Sequence, residues 1–520
     1  ITCGDRNVGV SPSTHRVSGA WFHLVVAIDT TQGTDTDRIK AYINGEAVSF
    51  GSTDLPSQNH QYGINKAQEH NIGSRVIYGS SGNYFDGYMA EINFVDGSQL
   101  TPSSFGETGT YDQWKPKEYT GSHGTNGFYL DFADASDLGD DESGNGNDWT
   151  EVNISARNQM PDSPTNNFCT FQEEAGFGVR ALTSSGKRYD PNGGTGYLFG
   201  NMGVSTGKWY FEVCHVTAGN GYHTMIANDT WNAAGGNPAS AGSYALYAGT
   251  YFYSAEGNIN LGFGSPGSNG DIYGCAFDLD NDKIWFAKNG SWYNSGNPAN
   301  GTNQTQDMDN QPNRNVRIAT SHGNASYTGR YQLNTGQDSS FSGVKTAQGN
   351  ADSNGIGDFY YAPPSGFLAI CSANLSAPAV VPNKNFNTIL YTGTGSSASH
   401  TLGFRPNLVW GKKRNAGQNH WLINDVGDVN KWLATDNSNN EGTEANGTTF
   451  DANGFTTASN DLFYNNGGNY VVWAWKGNGT GTAVSNTSGS INSTVSANTS
   501  AGISIINFQG NATSGATFGH

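Results

Sequence analysis

The sequence predicts an all-β protein built from tandem β-sandwich (jelly-roll) modules, and both its composition and its turn signals favour this fold. Aromatic residues make up 12% of the chain, which provides enough apolar surface for hydrophobic cores. The 71 glycines and a charged fraction of only 13% are typical of short strands joined by many tight turns. Asn-Gly pairs at Asn44 and Asn289 follow strand-like segments, where they suit the turns of β-hairpins.

The chain divides into modules where its composition changes. The predicted parts are a first sandwich at 1–118, a connector at 119–164, a second sandwich at 165–377, a third at 380–477, a linker at 478–500 and the start of a further module at 501–520. The segment 478–500 consists almost entirely of glycine, alanine and small polar residues, which is typical of a flexible linker.

A repeat near the carboxyl end supports this modular organisation. Three residues recur at one constant offset: Phe386, Tyr391 and Gly393 return as Ile503, Phe508 and Gly510. Recurrence at a fixed spacing is the signature of a modular array. We therefore expect two copies of one fold, at 386–476 and from 503 onward, and we expect the 520 residues to be part of a longer chain.

Residue patterns in the first module resemble a known family. Segments 21–29, 38–45 and 85–94 read WFHLVVAID, RIKAYING and FDGYMAEINF in turn. Their order is similar to the second half of a laminin-G-like, concanavalin-A-like jelly roll. Because the opening strands of that family are absent here, we expect the module to be cut at its amino end.

The second module resembles the SPRY family. Segment 207–213 reads GKWYFEV, and segment 271–290 reads DIYGCAFDLDNDKIWFAKNG, which predicts two strands around a tight turn. These motifs are similar to the opening strand and the central hairpin of the SPRY core. Segment 363–370 resembles the closing strand of that family.

The order of the motifs resembles that of structural proteins from marine bacteriophages. WKPKEYTG at 114–121 and DESGNGNDWT at 141–150 precede the SPRY-like module, and the segment 402–476 follows it. This last segment departs from the resembled pattern at Asn407, where the pattern has Asp. The architecture as a whole implies a virion structural protein.

Charge and cysteine usage exclude several classes of partner. The formal net charge of −18 disfavours nucleic acid and anionic membranes, because both are bound through clusters of Lys and Arg. No apolar run approaches the ~20 residues of a membrane span, so we expect no membrane insertion. The five cysteines lie far apart without a CxxC pair, which is typical neither of a disulfide framework nor of a zinc site.

No set of residues in the sequence indicates an enzyme. Glycoside hydrolysis needs two carboxyl groups on either side of one bond. The nearest candidate strand carries Glu91 and Asp96 with Asn93 in the middle position. Glu173 and Glu174 are adjacent, so on a strand they face opposite sides. Motifs of metalloproteases, serine hydrolases and phosphate-binding loops are missing.

Calcium is the one cofactor that the sequence suggests. Oxygen-bearing side chains are dense in the loop before the second module, where Asp141, Asn145, Asn147 and Asp148 are candidate Ca²⁺ ligands. The loop lacks the spacing of an EF-hand. The favoured alternative is a polar turn whose side chains bond to their own backbone, and we expect no obligatory cofactor.

Three tryptophans are candidate carbohydrate-binding residues. Trp231, Trp292 and Trp421 lie beside loops rich in Asn and Gly, where an exposed aromatic ring is typical of a sugar-binding site. The alternative for each of them is packing in a core or at its rim. Four other tryptophans alternate along strand-like segments and are predicted to be core residues: Trp209, Trp285, Trp473 and Trp475.

These observations predict a virion structural protein outside the cell that forms part of a fibre or related appendage and recognises glycan on a host surface. Its expected partners are host-surface glycan, other virion proteins and further copies of itself, as a trimer along a fibre axis. Bundled copies would stiffen a string of small modules and multiply weak glycan contacts. The alternatives are a bacterial surface adhesin or extracellular filament protein and, less favoured, a polysaccharide depolymerase.

Overall fold

The computed structural model is almost entirely β-structure, which confirms the predicted fold class. Strands account for 38% of the residues, and the helical turns of the described residues are short 3-10 segments, none long and apolar enough to cross a membrane. The structure describes residues 2–3, 6–7, 19–48, 54–77, 80–82, 84–183, 188–228, 231, 242–247, 250–255, 257–263, 267–308, 315–322, 329–378, 380–443, 447–458, 463 and 465–520. The chain divides into two compact units, Ile1–Glu107 with Trp114–Leu375 and Thr108–Gln113 with Ser376–His520.

The amino-terminal part of the chain forms small sheets of two or three strands. Its strands are β1 Thr2–Cys3, β2 Arg6–Asn7, β3 Leu24–Ile28, β4 Ile39–Ile43, β5 Glu46–Ala47, β6 Arg75–Ile77, β7 Ser80–Gly82, β8 Ile92–Phe94, β9 Gly106–Thr108, β10 Trp114–Pro116 and β11 Phe128–Leu130. Its 3-10 turns are Asp35–Asp37, Pro102–Ser104 and Ala156–Asn158. β8 pairs with β11, and the rings of Phe94 and Phe128 stack 5.5 Å apart. The segment predicted as a connector therefore shares a sheet with the first module.

One large sheet occupies most of the rest of the first unit. Its strands are β12 Phe171–Thr183, β13 Arg188–Val204, β14 Lys208–Thr217, β15 Tyr222–Asn228, β16 Ser243–Tyr247, β17 Tyr251–Ser254, β18 Gly257–Asn260, β19 Ile272–Asp278, β20 Lys283–Lys288, β21 Ser291–Trp292, β22 Gln306–Asp307, β23 Val316–His322, β24 Arg330–Asn334 and β25 Leu368–Ala369. Two 3-10 turns lie at Tyr293–Ser295 and Pro298–Asn300. The strand order is β18-β17-β16-β15-β23-β13-β24-β14-β19-β20-β21, while β12 pairs with β13, β22 with β20, and β25 runs parallel to β14.

The central strands of this sheet are buried on both faces. Side chains alternate along a strand, so successive residues point to opposite faces. Phe211 of β14 and Phe277 of β19 belong to the main hydrophobic core on one face. Tyr210 belongs to a second buried cluster, which also contains Phe359 and Phe367. We call residues 358–371, which carry the latter two rings, the return segment.

The described residues of the second unit form three sheets. Its strands are β26 Phe386–Thr392, β27 Ala398–Thr401, β28 Leu408–Lys413, β29 Trp421–Asn424, β30 Lys431–Ala434, β31 Gly442–Thr443, β32 Thr449–Asp451, β33 Gly454–Thr457, β34 Asn469–Trp475, β35 Val484–Asn486, β36 Ser493–Asn498 and β37 Ile503–Phe508, with a 3-10 turn at Pro382–Lys384. The sheets have the orders β26-β34-β28-β29-β30-β31, β27-β33-β32 and β35-β36-β37. The core of this unit joins Val409 and Val472 of the first sheet to Phe455 of the second.

The segment 478–500 is folded, so its prediction as a flexible linker is wrong. It contains β35 and β36, and β36 pairs with β37 along its whole length. The side-chain amide of Asn498 also donates to Asn385 Oδ1 at 2.7 Å. Strand pairing uses backbone groups, so a polar composition does not prevent it once a partner strand is present. The two segments of the predicted repeat have different partner strands, because β26 pairs with β34 whereas β37 pairs with β36. That they are copies of one fold stays a prediction.

Trp473 and Trp475 are not core residues, so that prediction is wrong. Along β34 the buried positions are Tyr470, Val472 and Ala474, while both tryptophans are only half-buried. The alternation is as predicted, but the inward face of β34 is the one without the two tryptophans.

Asn407 is fully buried and joins three segments of the second unit. Its Nδ2 donates to both carboxylate oxygens of Asp425 at 3.0 Å. Its Oδ1 accepts from the backbone N–H groups of Gly477 at 2.9 Å and Gly479 at 3.0 Å. An ionised Asp could not donate to Asp425, which explains the amide at a position where the resembled pattern has Asp.

Replacing Asn407 with Asp is expected to destabilise the second unit. Two carboxyl groups would face each other in a buried site, so the free energy of unfolding should fall by roughly 2–3 kcal/mol near neutral pH. Repulsion between them raises the pKa of one carboxyl, so the loss should shrink at acidic pH, where one proton is bound. Urea unfolding monitored by tryptophan fluorescence at neutral and acidic pH measures both effects.

The matched control is Asn437→Asp, which adds the same charge at an exposed position. We expect it to leave the free energy of unfolding within ~0.5 kcal/mol of that of the unaltered chain. Equal losses in the two variants would contradict the role given to Asn407.

Candidate functional site

Four strands of the large sheet align one row of residues on the face that the return segment covers. In the registers of β14, β19, β20 and β21, Glu212 lies opposite Gly274. Ala287 of β20 lies between Gly274 and Trp292. The two middle residues are small and the outer two are large, so the row forms a trough with Gly274 and Ala287 as its floor.

A cavity of about 240 Å³ occupies this trough, and we call it the Trp292 cavity. It is lined by Tyr210, Gly274, Ala287, Gly290, Trp292, Tyr361 and Ala362. The rings of Tyr210 and Trp292 lie 6.4 Å apart between centroids, and the half-buried Trp292 and Tyr361 form its rim. Gly290 has φ +79°, and a Cβ there would lie 3.0 Å from the Tyr361 ring, so glycine is required at this turn.

Glu212 holds the walls of the Trp292 cavity in place. Its fully buried carboxylate accepts hydrogen bonds from the Tyr210 hydroxyl and the Asn334 amide, both at 3.1 Å. It also accepts from the backbone N–H groups of Tyr360 at 2.9 Å and Tyr361 at 2.8 Å. Burial raises the pKa of Glu212 to about 7, although the four donors favour the ionised form and oppose this rise.

The lining residues define what the Trp292 cavity can bind. They offer aromatic faces, a small apolar floor and no charged side chain. An aromatic face is negatively polarised and attracts the C–H groups of a saturated ring. Without a cation among its lining residues, the cavity has no group to pair with a carboxylate or a phosphate. It is smaller than the ~300–1,000 Å³ of sites for drug-sized ligands, so it suits one small uncharged ring.

The other two candidate tryptophans do not line this cavity. Trp231 is only 6% exposed and packs edge-on against Tyr197 and Phe199, with centroids 5.5 Å and 5.7 Å away. These contacts favour the alternative of core packing, and the role of Trp231 as a binding residue stays a prediction. Trp421 packs against Trp432 at 4.6 Å and against the core of the second unit, and its binding role stays a prediction.

The loop of candidate calcium ligands is held together by its own hydrogen bonds. Four donors occupy the oxygens of Asp141: the backbone N–H groups of Tyr129, Ser143 and Asn147 and the hydroxyl of Ser143. Asn145 and Asn147 donate their side-chain amides to backbone carbonyls at 124–127, and Asp148 Oδ1 accepts from the backbone of Asp141. These contacts describe a polar turn, and calcium binding stays a prediction. Among the described residues, no group of three or more His, Cys, Asp or Glu side chains is suited to a metal ion.

A buried cluster with two histidines lies in the main core, and the sequence analysis did not find it. Its rings are 4.2–5.1 Å apart and belong to His215, His223, Tyr273 and Tyr331. Neither ring nitrogen of His215 has a hydrogen-bond partner among the described residues. Burial lowers the pKa of His215 to about 4, with Asp271 opposing the shift and Lys288 adding to it. The alternation of side chains along β14 could have indicated this cluster, because it places His215 on the same face of the strand as Phe211.

Four cysteine thiols are buried and form no disulfide: Cys169, Cys214, Cys275 and Cys371. Burial raises the pKa of the Cys169 and Cys214 thiols to about 12 and also raises that of Cys275 and Cys371. At neutral pH these groups are neutral thiols inside the first unit.

Comparison with known proteins gives two similarities. Residues 381–520 match a family model described as a domain of unknown function, DUF7483, and this one model includes both segments of the predicted repeat. No curated protein matches the chain. Among solved structures, the SPRY domain of human HERC1 is 15% identical and covers 31% of this chain and 96% of that one, with a TM-score of 0.24. The sheet organisation described above rests on the strand pairings and not on this similarity.

Removing the two buried titratable groups singly should change the pH dependence of stability in opposite directions. The folded pKa of His215 lies below its ordinary 6.5, so its stabilising contribution is present above pH 6.5 and is lost as the pH falls towards 4. The folded pKa of Glu212 lies above its ordinary 4.5, so its contribution is present below pH 4.5 and is lost as the pH rises to about 7.

Between pH 4.5 and pH 6.5, His215→Phe should make the slope of the free energy of unfolding against pH more negative than in the unaltered chain. Glu212→Gln should make that slope more positive. Each slope should change by up to about 1.4 kcal/mol per pH unit. Urea unfolding at three pH values in this window measures the slopes. Two slopes equal to that of the unaltered chain would show that neither group titrates as described.

Proposed function

We propose that this protein is a structural component of a virion appendage, such as a fibre, and that the Trp292 cavity binds glycan on the host surface. The glycan assignment rests on one observation. Two half-buried aromatic rings, those of Trp292 and Tyr361, lie beside an apolar floor formed by Gly274 and Ala287. The proposal assigns the binding role to Trp292 among the three candidate tryptophans.

The dimensions and chemistry of the cavity favour a neutral sugar. One face of a pyranose ring carries C–H groups that can stack on Trp292, while its hydroxyls remain free to meet the Tyr361 hydroxyl and solvent. The absence of a cationic lining residue disfavours sugars whose main feature is a carboxylate or sulfate. Such a site binds weakly on its own, so the proposal includes several copies of it on one particle.

The body of the chain supports a structural role. Its sheets are organised as compact β units, an architecture suited to spacing binding sites along an appendage. The net charge of −18 keeps such modules soluble and disfavours nucleic acid as a partner. Other proteins of the same particle would hold the appendage in place.

Replacing Trp292 with Ala should abolish most of the glycan affinity. We expect the full chain to bind neutral glycans on an array, and we expect the variant to bind the strongest of them at least about 10-fold more weakly, because a buried tryptophan contact typically contributes over 1.4 kcal/mol. Titration calorimetry with that glycan measures the difference.

Tyr251→Ala is the matched control, since Tyr251 is a 39% exposed aromatic residue on another strand of the same sheet. It should bind the glycan as the unaltered chain does. Equal affinities for the Trp292 and Tyr251 variants, or no glycan bound by the unaltered chain, would refute the assignment of the cavity.

A further inference from the structure

The six-stranded sheet of the second unit has one face whose described residues are all half-buried or exposed. Its inward residues form the core, and its outward residues are apolar over several strands. Three of them are more than a third exposed: Leu390 at 63%, Leu433 at 44% and Phe386 at 39%. We call this surface the outer face.

The strand register assembles the outer face into continuous rows. One row runs across five strands and contains Thr388, Trp473, Trp410, Leu422 and Leu433. The row beside it contains Phe386, Trp475, Leu408 and Asn424. Within these rows the rings of Trp410 and Trp473 lie 5.0 Å apart, and those of Phe386 and Trp475 lie 5.1 Å apart. The result is a two-dimensional apolar array rather than isolated exposed side chains.

The charge of the outer face differs from that of the chain. The chain carries 44 acidic and 26 basic residues, yet no outward position of these six strands is Asp or Glu. The charged residues of the outer face are Lys412, near the end of β28, and Lys431. The Nζ of Lys431 lies 3.8 Å from a Glu441 carboxylate oxygen of the same chain. Two copies of an acidic chain repel each other least where both surfaces lack carboxylates.

We propose that the outer face packs against the outer face of a second copy of this chain. Two sheets stacked face to face lie ~10 Å apart with interdigitated side chains, which suits the rows of Trp and Leu seen here. A face that meets its own copy obeys two-fold symmetry, so the assembly is a dimer, in place of the trimer expected from the sequence. Aliphatic residues such as Leu390 and Leu433 have no aromatic face and no hydrogen-bonding group for a sugar, which favours protein over glycan on this surface. This inference stands without the Trp292 cavity, which belongs to the first unit.

The test is the mass of the full chain in solution. Sedimentation equilibrium over micromolar concentrations should give about twice the 55.2 kDa of one chain. Leu390→Asp and Leu433→Asp should each weaken dimerisation at least about 100-fold, because each places an unpaired charge in the contact. Both positions are exposed in the single chain, so each variant should stay folded, with the far-ultraviolet circular dichroism spectrum of the unaltered chain.

Val484→Asp is the matched control, because Val484 is 64% exposed and lies in a different sheet of the same unit. This variant should remain a dimer. A monomer or a trimer for the unaltered chain would overturn the proposal, as would a dimer in both leucine variants. Loss of glycan binding in these variants with an unchanged mass would also overturn it and would identify the outer face as a glycan platform.

Discussion

Each sheet in this protein has two faces, and the need to cover both of them governs the rest of the structure. In the first unit the main core covers one face, and the return segment covers the other. The return segment is attached through Glu212, whose carboxylate accepts two of its backbone N–H groups. Because this attachment is local, it leaves a small space between the return segment and the buried residues Gly274 and Ala287. The Trp292 cavity is that space.

The second unit meets the same constraint differently. A smaller sheet covers one face of its six-stranded sheet, and Asn407 holds the chain beyond β34 against the unit through Gly477 and Gly479. No described segment returns across the outer face. The second unit therefore leaves one apolar sheet face without a covering segment, whereas the first unit covers both faces of its large sheet with its own chain.

The sequence predicted several strands and turns, such as β14 and the hairpin of β19 and β20, but not which face of a strand is covered. Trp285 is 1% exposed, as its alternation predicted, whereas Trp473 has the same kind of pattern and points outward. Alternation identifies two faces, and only the long-range partner decides which is inside. The Trp292 cavity depends on Gly274 and Ala287 from other strands, so its floor arises from register and is invisible in the local sequence. The sequence did not predict the pairing of β36 with β37 for a related reason. The composition of a segment does not show which strand it will pair with.

The four buried thiols have a consequence for how the protein matures. With their pKa values raised by burial, they stay in the unreactive neutral form and lie out of reach of oxidants. The first unit therefore holds together by packing and hydrogen bonds, and these four residues give it no redox-dependent cross-link to form or to lose. At these four positions the chain keeps the same covalent structure whether it folds in a reducing or in an oxidising medium.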